Sequence, residues 1–216
     1  MESSPKEVVA GLLAAVVDYD IEACDRLLAS AVADMEPLSL IRDVVSPLLR
    51  EAGNRWHRGE FAVVQEHMIS GVVRRQLSYA LDRYLMNCAA PSVLFTTLSG
   101  ERHEMGALMG AVLAASEGFH SIYLGPDLPV SEISLFCTHR PVQALALSVV
   151  TDPDVIDAPG QLAELRSAIP SPTEIWVSGH ASSALAKKPL PPGICIIRDL
   201  GEFLDRLAAL KSGSQT

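Results

Sequence analysis

Long apolar runs are missing from this sequence. No stretch approaches the roughly 20 consecutive apolar residues that a membrane-spanning helix needs, and the start, MESSPKEVV, has no basic region leading into an apolar one. The expectation is a cytoplasmic protein with no membrane partner. Runs of Lys and Arg are missing too. At a formal net charge of -9, with no basic cluster, the chain lacks the surface that sequence-independent phosphate binding requires, so no direct nucleic-acid contact is expected. Cysteines are few and scattered: Cys24, Cys88, Cys137 and Cys195 show no C-x-x-C spacing and no histidine at finger spacing, which argues against structural zinc. Each sits in an apolar setting such as ICII, as expected of a buried, reduced, inert thiol. Neither G-x-G-x-x-G nor G-x-x-x-x-G-K-[ST] occurs, so a nucleotide cradle is a weak reading of the glycines.

What is present is a well-patterned globule, 49% apolar and 20% charged. From residue 5 to about 87, apolar residues recur at spacings of three and four in VVAGLLAAVV, ACDRLLASAV, LSLIRDVVSPLLREAG and VVQEHMISGVVRRQLSYALDRYL. Short punctuation separates these runs, with Asp20 a plausible N-cap, MEPL before the third and HRGE before the fourth. The pattern predicts a four-helix bundle over residues 1–88 with neighbours antiparallel. After NCAAPS the grammar changes. SVLFTTL, HSIYLG, VQALALSVV, EIWVSG and GICIIRDL alternate with helical segments ending in GEFLDRLAALK. Strand-then-helix, five times over, predicts a flavodoxin- or Rossmann-like five-stranded parallel α/β domain over residues 92–212, with Pro91 in the linker and SGSQT a frayed tail. Such sheets bind ligands at the carboxyl ends of their strands, so the loops there are where chemistry is expected.

The loop after the first of these strands reads SGERHEMG. Glu-x-His-x-x-Gly, Glu101 to Gly106, makes sense as a metal-ligand device: an imidazole displayed at a strand end, a carboxylate for its other ring nitrogen, and a glycine that lets a ligand approach. On spacing alone His103 could equally cap a helix. The bundle carries a second unusual set, Trp56, His57, Glu66 and His67 in NRWHRGEFAVVQEHMISG. Trp56 could be a core residue, Glu66 a solvated charge, His67 an ordinary histidine and His57 a partner of a helix dipole. His120 and His139 read as surface or strand-edge residues with no role.

ERHEMG resembles the Asp-x-His-x-x-Gly signature of cobalamin-binding domains, with Glu101 in place of the aspartate. The Trp-x9-Glu-His spacing from Trp56 to His67 resembles that of the CarH-type cobalamin-dependent photoreceptors, whose Glu-x-His-x-x-Gly variant is also matched. The likeness runs from the bundle to the last helix. It implies that His103 is the lower cobalt ligand and that the cofactor's nucleotide tail passes Ser148 to Val150 and then Gly179 and His180. Valine replaces leucine in the first of these segments, and His180 replaces a second glycine in the other. It further implies that Trp56 and Val63 pack on a 5′-deoxyadenosyl group, that Glu66 and His67 complete that pocket, and that His57 takes the upper cobalt position after light. The cofactor expected is adenosylcobalamin, with a non-covalently held bilin as an additional chromophore in some relatives of this class.

Family regulators carry a DNA-binding domain before the bundle, and this sequence opens on the first bundle helix. The expectation is therefore a non-enzymatic light sensor that forms a homo-oligomer and signals through a partner such as a transcription regulator. A corrinoid methyl carrier of a methyltransferase system is the alternative. A degenerate domain that binds no corrinoid is a third.

Overall fold

A computed structural model describes residues 4–84, 91–170 and 172–213. The chain divides into two compact units, Met1–Arg83 and Tyr84–Thr216. The first is helical. Helix α1 (Pro5–Val17) opens on a capping box in which Ser4 and Glu7 satisfy each other's backbone N–H groups, with Pro5 at the first helical position where a missing N–H costs nothing. Helix α2 (Ile21–Asp34) is capped by Asp20, whose carboxylate accepts from the Ala23 N–H at 2.8 Å. The run expected as a third single helix is subdivided into α3 (Pro37–Leu40), a π turn over Ile41–Val45 and α4 (Ser46–His57). Pro47 has no N–H to give the carbonyl of Asp43, and a wider turn, with Ser46 N–H reaching Ile41 O, takes up the mismatch. Helix α5 (Val63–Asp82) completes the bundle.

The bundle core is aliphatic. Leu12, Val16, Leu28, Ile41, Val44, Leu48, Ile69 and Val72 have no exposed surface, and each such side chain stabilises the unit by about 1.5–3 kcal/mol relative to exposure. Two polar ties fix the helices against each other. Buried Gln65 donates to the Val16 carbonyl at 3.0 Å and accepts from Ala62 N–H at 2.9 Å, joining the start of α5 to the end of α1. Arg75 and Gln76 both donate to Asp25 on α2 at 2.8 Å.

The second unit is a parallel sheet of β1 (Ser92–Thr96), β2 (His120–Tyr123), β3 (Ala144–Ser148), β4 (Glu174–Ser178) and β5 (Ile194–Ile196), in the order β2-β1-β3-β4-β5. Helices α6 (Met105–Ser116), α7 (Val130–His139), α8 (Ala158–Ala168), α9 (Ser182–Leu185) and α10 (Leu200–Gly213) alternate with the strands. On one face, Ile133 and Cys137 of α7 and Leu162 and Leu165 of α8 pack on Leu94, Leu145 and Ile175 of the sheet. On the other, Phe203 of α10 meets Phe95 and Trp176 edge-on, at centroid separations of 6.3 and 6.0 Å.

Strand order reverses between β1 and β3. At such a switch point the following loops diverge to opposite faces and leave a crevice at the strand ends, and here it is flanked by the loops after β1 and β3.

Cys24 and Cys137 are buried, and burial raises the Cys137 thiol to about 11. Cys195, on the edge strand β5, is only half-buried, because an edge strand has no neighbour to cover it. Cys88 lies outside the described residues, as do residues 85–90 next to the expected linker.

Candidate functional site

The loop from Thr97 to Glu104 is held at both ends. Thr97 donates to the Glu101 carbonyl and accepts from the Asp127 N–H at 2.8 Å, while Asp127 accepts from Gly100 N–H at 2.7 Å. Gly100 sits at φ 84, a left-handed conformation that favours glycine. This network aims Glu101 inward and His103 outward.

Glu101 is fully buried. Its Oε1 accepts from His103 N–H at 2.9 Å, from His103 Nδ1–H at 2.6 Å and from the Thr151 hydroxyl at 3.0 Å. Its Oε2 accepts from the backbone N–H groups of Val150 at 2.7 Å and Thr151 at 2.6 Å. Burial pushes this carboxyl up, but the hydrogen bonds from the His103 ring and from the Thr151, His103 and Val150 backbones outweigh it and bring the pKa down to about 2. The imidazole of His103 is 64% exposed while its Nδ1 is bonded to the carboxylate. A carboxylate that accepts from Nδ1–H fixes the ring's tautomer and orientation, which is how histidine is prepared for a metal bond through Nε2.

Around this pair lie the other positions singled out in the loops. Ser148, at the end of β3, is buried, and its hydroxyl has no hydrogen-bond partner. A Cβ added at Gly106 would come within 2.4 Å of that hydroxyl oxygen, so glycine at the head of α6 lets helix and strand end approach. Gly179, after β4, adopts φ 105, and a Cβ there would stand 2.4 Å from the Val149 carbonyl. His180 is exposed. Val150 contributes its backbone N–H rather than its side chain to the Glu101 cluster. No sequence signal marks Thr151: it lies one residue past the Ser148-to-Val150 segment, and its tie to Glu101 spans 50 residues.

The helical unit presents the second set. Helix α4 ends where Gly59, at φ 72, turns the chain, and its N–H bonds the Trp56 carbonyl at 2.9 Å. Trp56 is 43% exposed and meets the His57 ring edge-on at 4.6 Å, so it is not an ordinary core residue. His57 donates from Nδ1 to the Gly53 carbonyl at 2.8 Å. On α5, Val63, Glu66, His67 and Ser70 follow the spacing that places residues on one helix face. Glu66 accepts from the Ser70 hydroxyl at 2.6 Å, and His67 Nε2 lies 3.8 Å from its other oxygen. Val63 is exposed. The structure thus brings Trp56 together with His57, and Glu66 with His67. Within the sheet unit it brings Glu101 together with His103, Val150 and Thr151, and Ser148 together with Gly106.

Residues 8–80 match the family model of the B12 binding domain. The chain is 30% identical over 171 residues, 79% of its length, to the HTH-type transcriptional repressor CarH of Myxococcus xanthus. Over most of its length the chain is similar to these cobalamin-binding regulators of the CarH type.

It spans 57% of that relative's length, and 42% of the HTH-type transcriptional repressor CarA of the same organism, to which it is 30% identical over 125 residues. Among solved structures, the monomethylamine corrinoid protein of Methanosarcina barkeri shares the fold, with a TM-score of 0.73 at 14% identity, covering 96% of this chain and 100% of that one. The residues present suit a corrinoid. The His103 ring is displayed from a buried carboxylate, the Ser148 hydroxyl is buried and unpartnered, and Gly179 lies at the strand ends where a tail would approach. Among the described residues, no group of three or more His, Cys, Asp or Glu side chains could hold a bare metal ion. No helix among them is long and apolar enough to cross a membrane.

Proposed function

We propose that this chain is a non-enzymatic light sensor that binds adenosylcobalamin with His103 as lower cobalt ligand and changes its domain or oligomer arrangement on illumination. The observation that carries the reading is the buttressed imidazole itself: His103 is exposed, with Nδ1 committed to a carboxylate that five hydrogen bonds hold. The Trp56-to-His67 motif and the likeness to a CarH repressor favour the sensor over a methyl carrier. Bound adenosylcobalamin would supply a cobalt–carbon bond that light can break.

The protein's part is to hold and to exchange ligands. His103 would bind cobalt through Nε2. Gly106, Ser148, Val150, Gly179 and His180 would line the tail path, with Ser148 gaining the hydrogen-bond partner it lacks within the protein. Trp56 and Val63 would cover the adenosyl group, and Glu66 and His67 would complete that pocket. In His57 the bond to the Gly53 carbonyl places the proton on Nδ1 and leaves Nε2, with its lone pair, as the atom that would hold cobalt in the lit form. A ligand exchange of this kind would give two discrete packings, whose difference would be the signal. The net charge of -9 favours output through a partner protein, such as a transcription regulator, in the cytoplasm over output by direct contact with DNA.

The test loads the purified chain with adenosylcobalamin in the dark and compares it with His103→Ala. The absorption spectrum of a histidine-ligated cofactor in the wild type, lost in the variant, is the expected result, together with a change in small-angle scattering on green illumination. Indistinguishable spectra for the two proteins would remove His103 from cobalt. Unchanged scattering, with methyl transfer to a partner from methylcobalamin-loaded protein, would replace the sensor by a methyl carrier.

A further inference from the structure

We infer that Gln161 is a positioning residue of the corrinoid site: its side-chain amide ties the loop that carries His103 to the loop between β3 and α8 and keeps both in their binding arrangement. The inference rests on the proposed role of His103 at cobalt. Gln161 lies near the start of α8, where its own N–H bonds the Asp157 carbonyl at 3.0 Å, so its side chain is left for contacts outside the helix. The amide oxygen accepts from Ser99 N–H at 3.0 Å, and the amide nitrogen donates to the Ser99 carbonyl at 3.0 Å and to the Ile156 carbonyl at 2.5 Å. The oxygen and both N–H donors are thus committed to backbone. Ser99, 62 residues away in sequence, is gripped at its N–H and its carbonyl together, as a ladder partner would grip it. Gly100, next along, lies against Ile156: a Cβ there would come within 3.1 Å of Ile156 Cγ2.

These contacts close a ring. The β3–α8 loop is bonded near its start, where the Val150 and Thr151 N–H groups meet Glu101, and near its end, where Gln161 joins Ile156 to Ser99. Both ends therefore meet the segment from Ser99 to Glu101, which leads directly into His103. Between them Lys188 pairs with Asp154 at 2.6 Å, but the Asp154 side chain is 72% exposed and such a pair contributes little. The bonds to Glu101 place the imidazole relative to its carboxylate, and the Gln161 amide places that cluster relative to α8. Without the amide, Ser99 and Gly100, both exposed, are free to bond water and sample other conformations. Only the molecules that hold the bound arrangement then accept a corrinoid. A group that acts in this way changes how fast the site is filled and leaves the filled state as it was.

The probe is cob(II)inamide, a corrinoid with no nucleotide base of its own, so that any axial nitrogen splitting in its electron paramagnetic resonance spectrum comes from the protein. Association and dissociation rates are measured by stopped-flow absorbance without oxygen, and the splitting on the loaded protein, for the wild-type chain, Gln161→Met, Gln161→Glu and His103→Ala. The temperature is one at which each unloaded variant keeps the wild-type circular dichroism. Gln161→Met keeps the length of the side chain and removes all three bonds, while Gln161→Glu keeps the acceptor for Ser99 N–H and sets a carboxylate against two carbonyls. Both are expected to bind about fivefold more slowly, as when the competent fraction falls to about a fifth, with release and splitting unchanged. Wild-type association in either variant overturns the inference. So does slower association with faster release or an altered splitting, which would put the effect of Gln161 in the bound state. Loss of the splitting in His103→Ala leaves the lower-ligand reading standing however the Gln161 variants behave, and splitting that persists there overturns both.

Discussion

The strand-end cluster and the end of the helical unit hold comparable side chains in contrasting ways. In the loop after β1, a buried carboxylate receives five hydrogen bonds and orients one imidazole. On α4 and α5, a Trp, two His and a Glu stand at a surface with short local ties only: His57 to the carbonyl one turn back, Glu66 to the hydroxyl one turn on. The first is over-determined and the second is adaptable. Under the proposed function, the first would hold the metal ligand that stays and the second would supply the one that is exchanged.

The contrast breaks most visibly at Glu101. Replacing it with alanine leaves three backbone N–H groups, the Thr151 hydroxyl and the His103 ring without their acceptor, and should cost the sheet unit about 4 kcal/mol in denaturant unfolding. Glu66→Ala, which strands only a solvent-accessible hydroxyl, should cost less than about 0.5 kcal/mol. Equal costs would mean that the two clusters are not different in kind.

Acid should separate the units next. Glu101 has a folded pKa lowered from 4.5 to about 2, so below 4.5 the unfolded chain takes up a proton that the folded one refuses. Its contribution is fully present above 4.5 and lost as the pH falls through 2, about 3 kcal/mol in all. Titrating stability by circular dichroism should show this loss in wild type and not in Glu101→Gln.

At the strand ends a smaller effect is expected from Gly179→Ala, about 2 kcal/mol, because φ 105 and a backbone oxygen 2.4 Å from the new Cβ force the loop to move. Its thermal midpoint should fall, and its affinity for cobalamin should fall more than its stability explains. His57→Ala lies at the other end of the scale. Stability should change by less than about 0.5 kcal/mol, while the spectrum reached after illumination should differ from that of wild type.

Much of this was legible in the sequence, for identifiable reasons. The change from helical to strand-and-helix periodicity at Pro91 carries the fold class, since burying one stripe of a helix and both faces of a strand leaves different spacings. Glu101 and His103 are two residues apart, so their pairing is local and the motif displays it. The partners of Glu101 at Val150 and Thr151 are 49 and 50 residues away and arrive through sheet topology, which spacing does not encode. The resemblance puts Ser148 on the tail path, but the burial of its hydroxyl without a partner comes from the packing of α6 against β3. The π turn before Pro47 was likewise hidden, because a proline inside an apolar helical run predicts a break or a kink and does not say which.

The most direct test of the account is the absorption spectrum of the chain loaded with adenosylcobalamin in the dark, taken before and after a pulse of green light. The account predicts a histidine-ligated alkylcobalamin that converts to a stable form with imidazole on both sides of cobalt, with the second imidazole lost in His57→Ala. Bleaching no different from that of the free cofactor, ending in an ordinary aquo form, would contradict it.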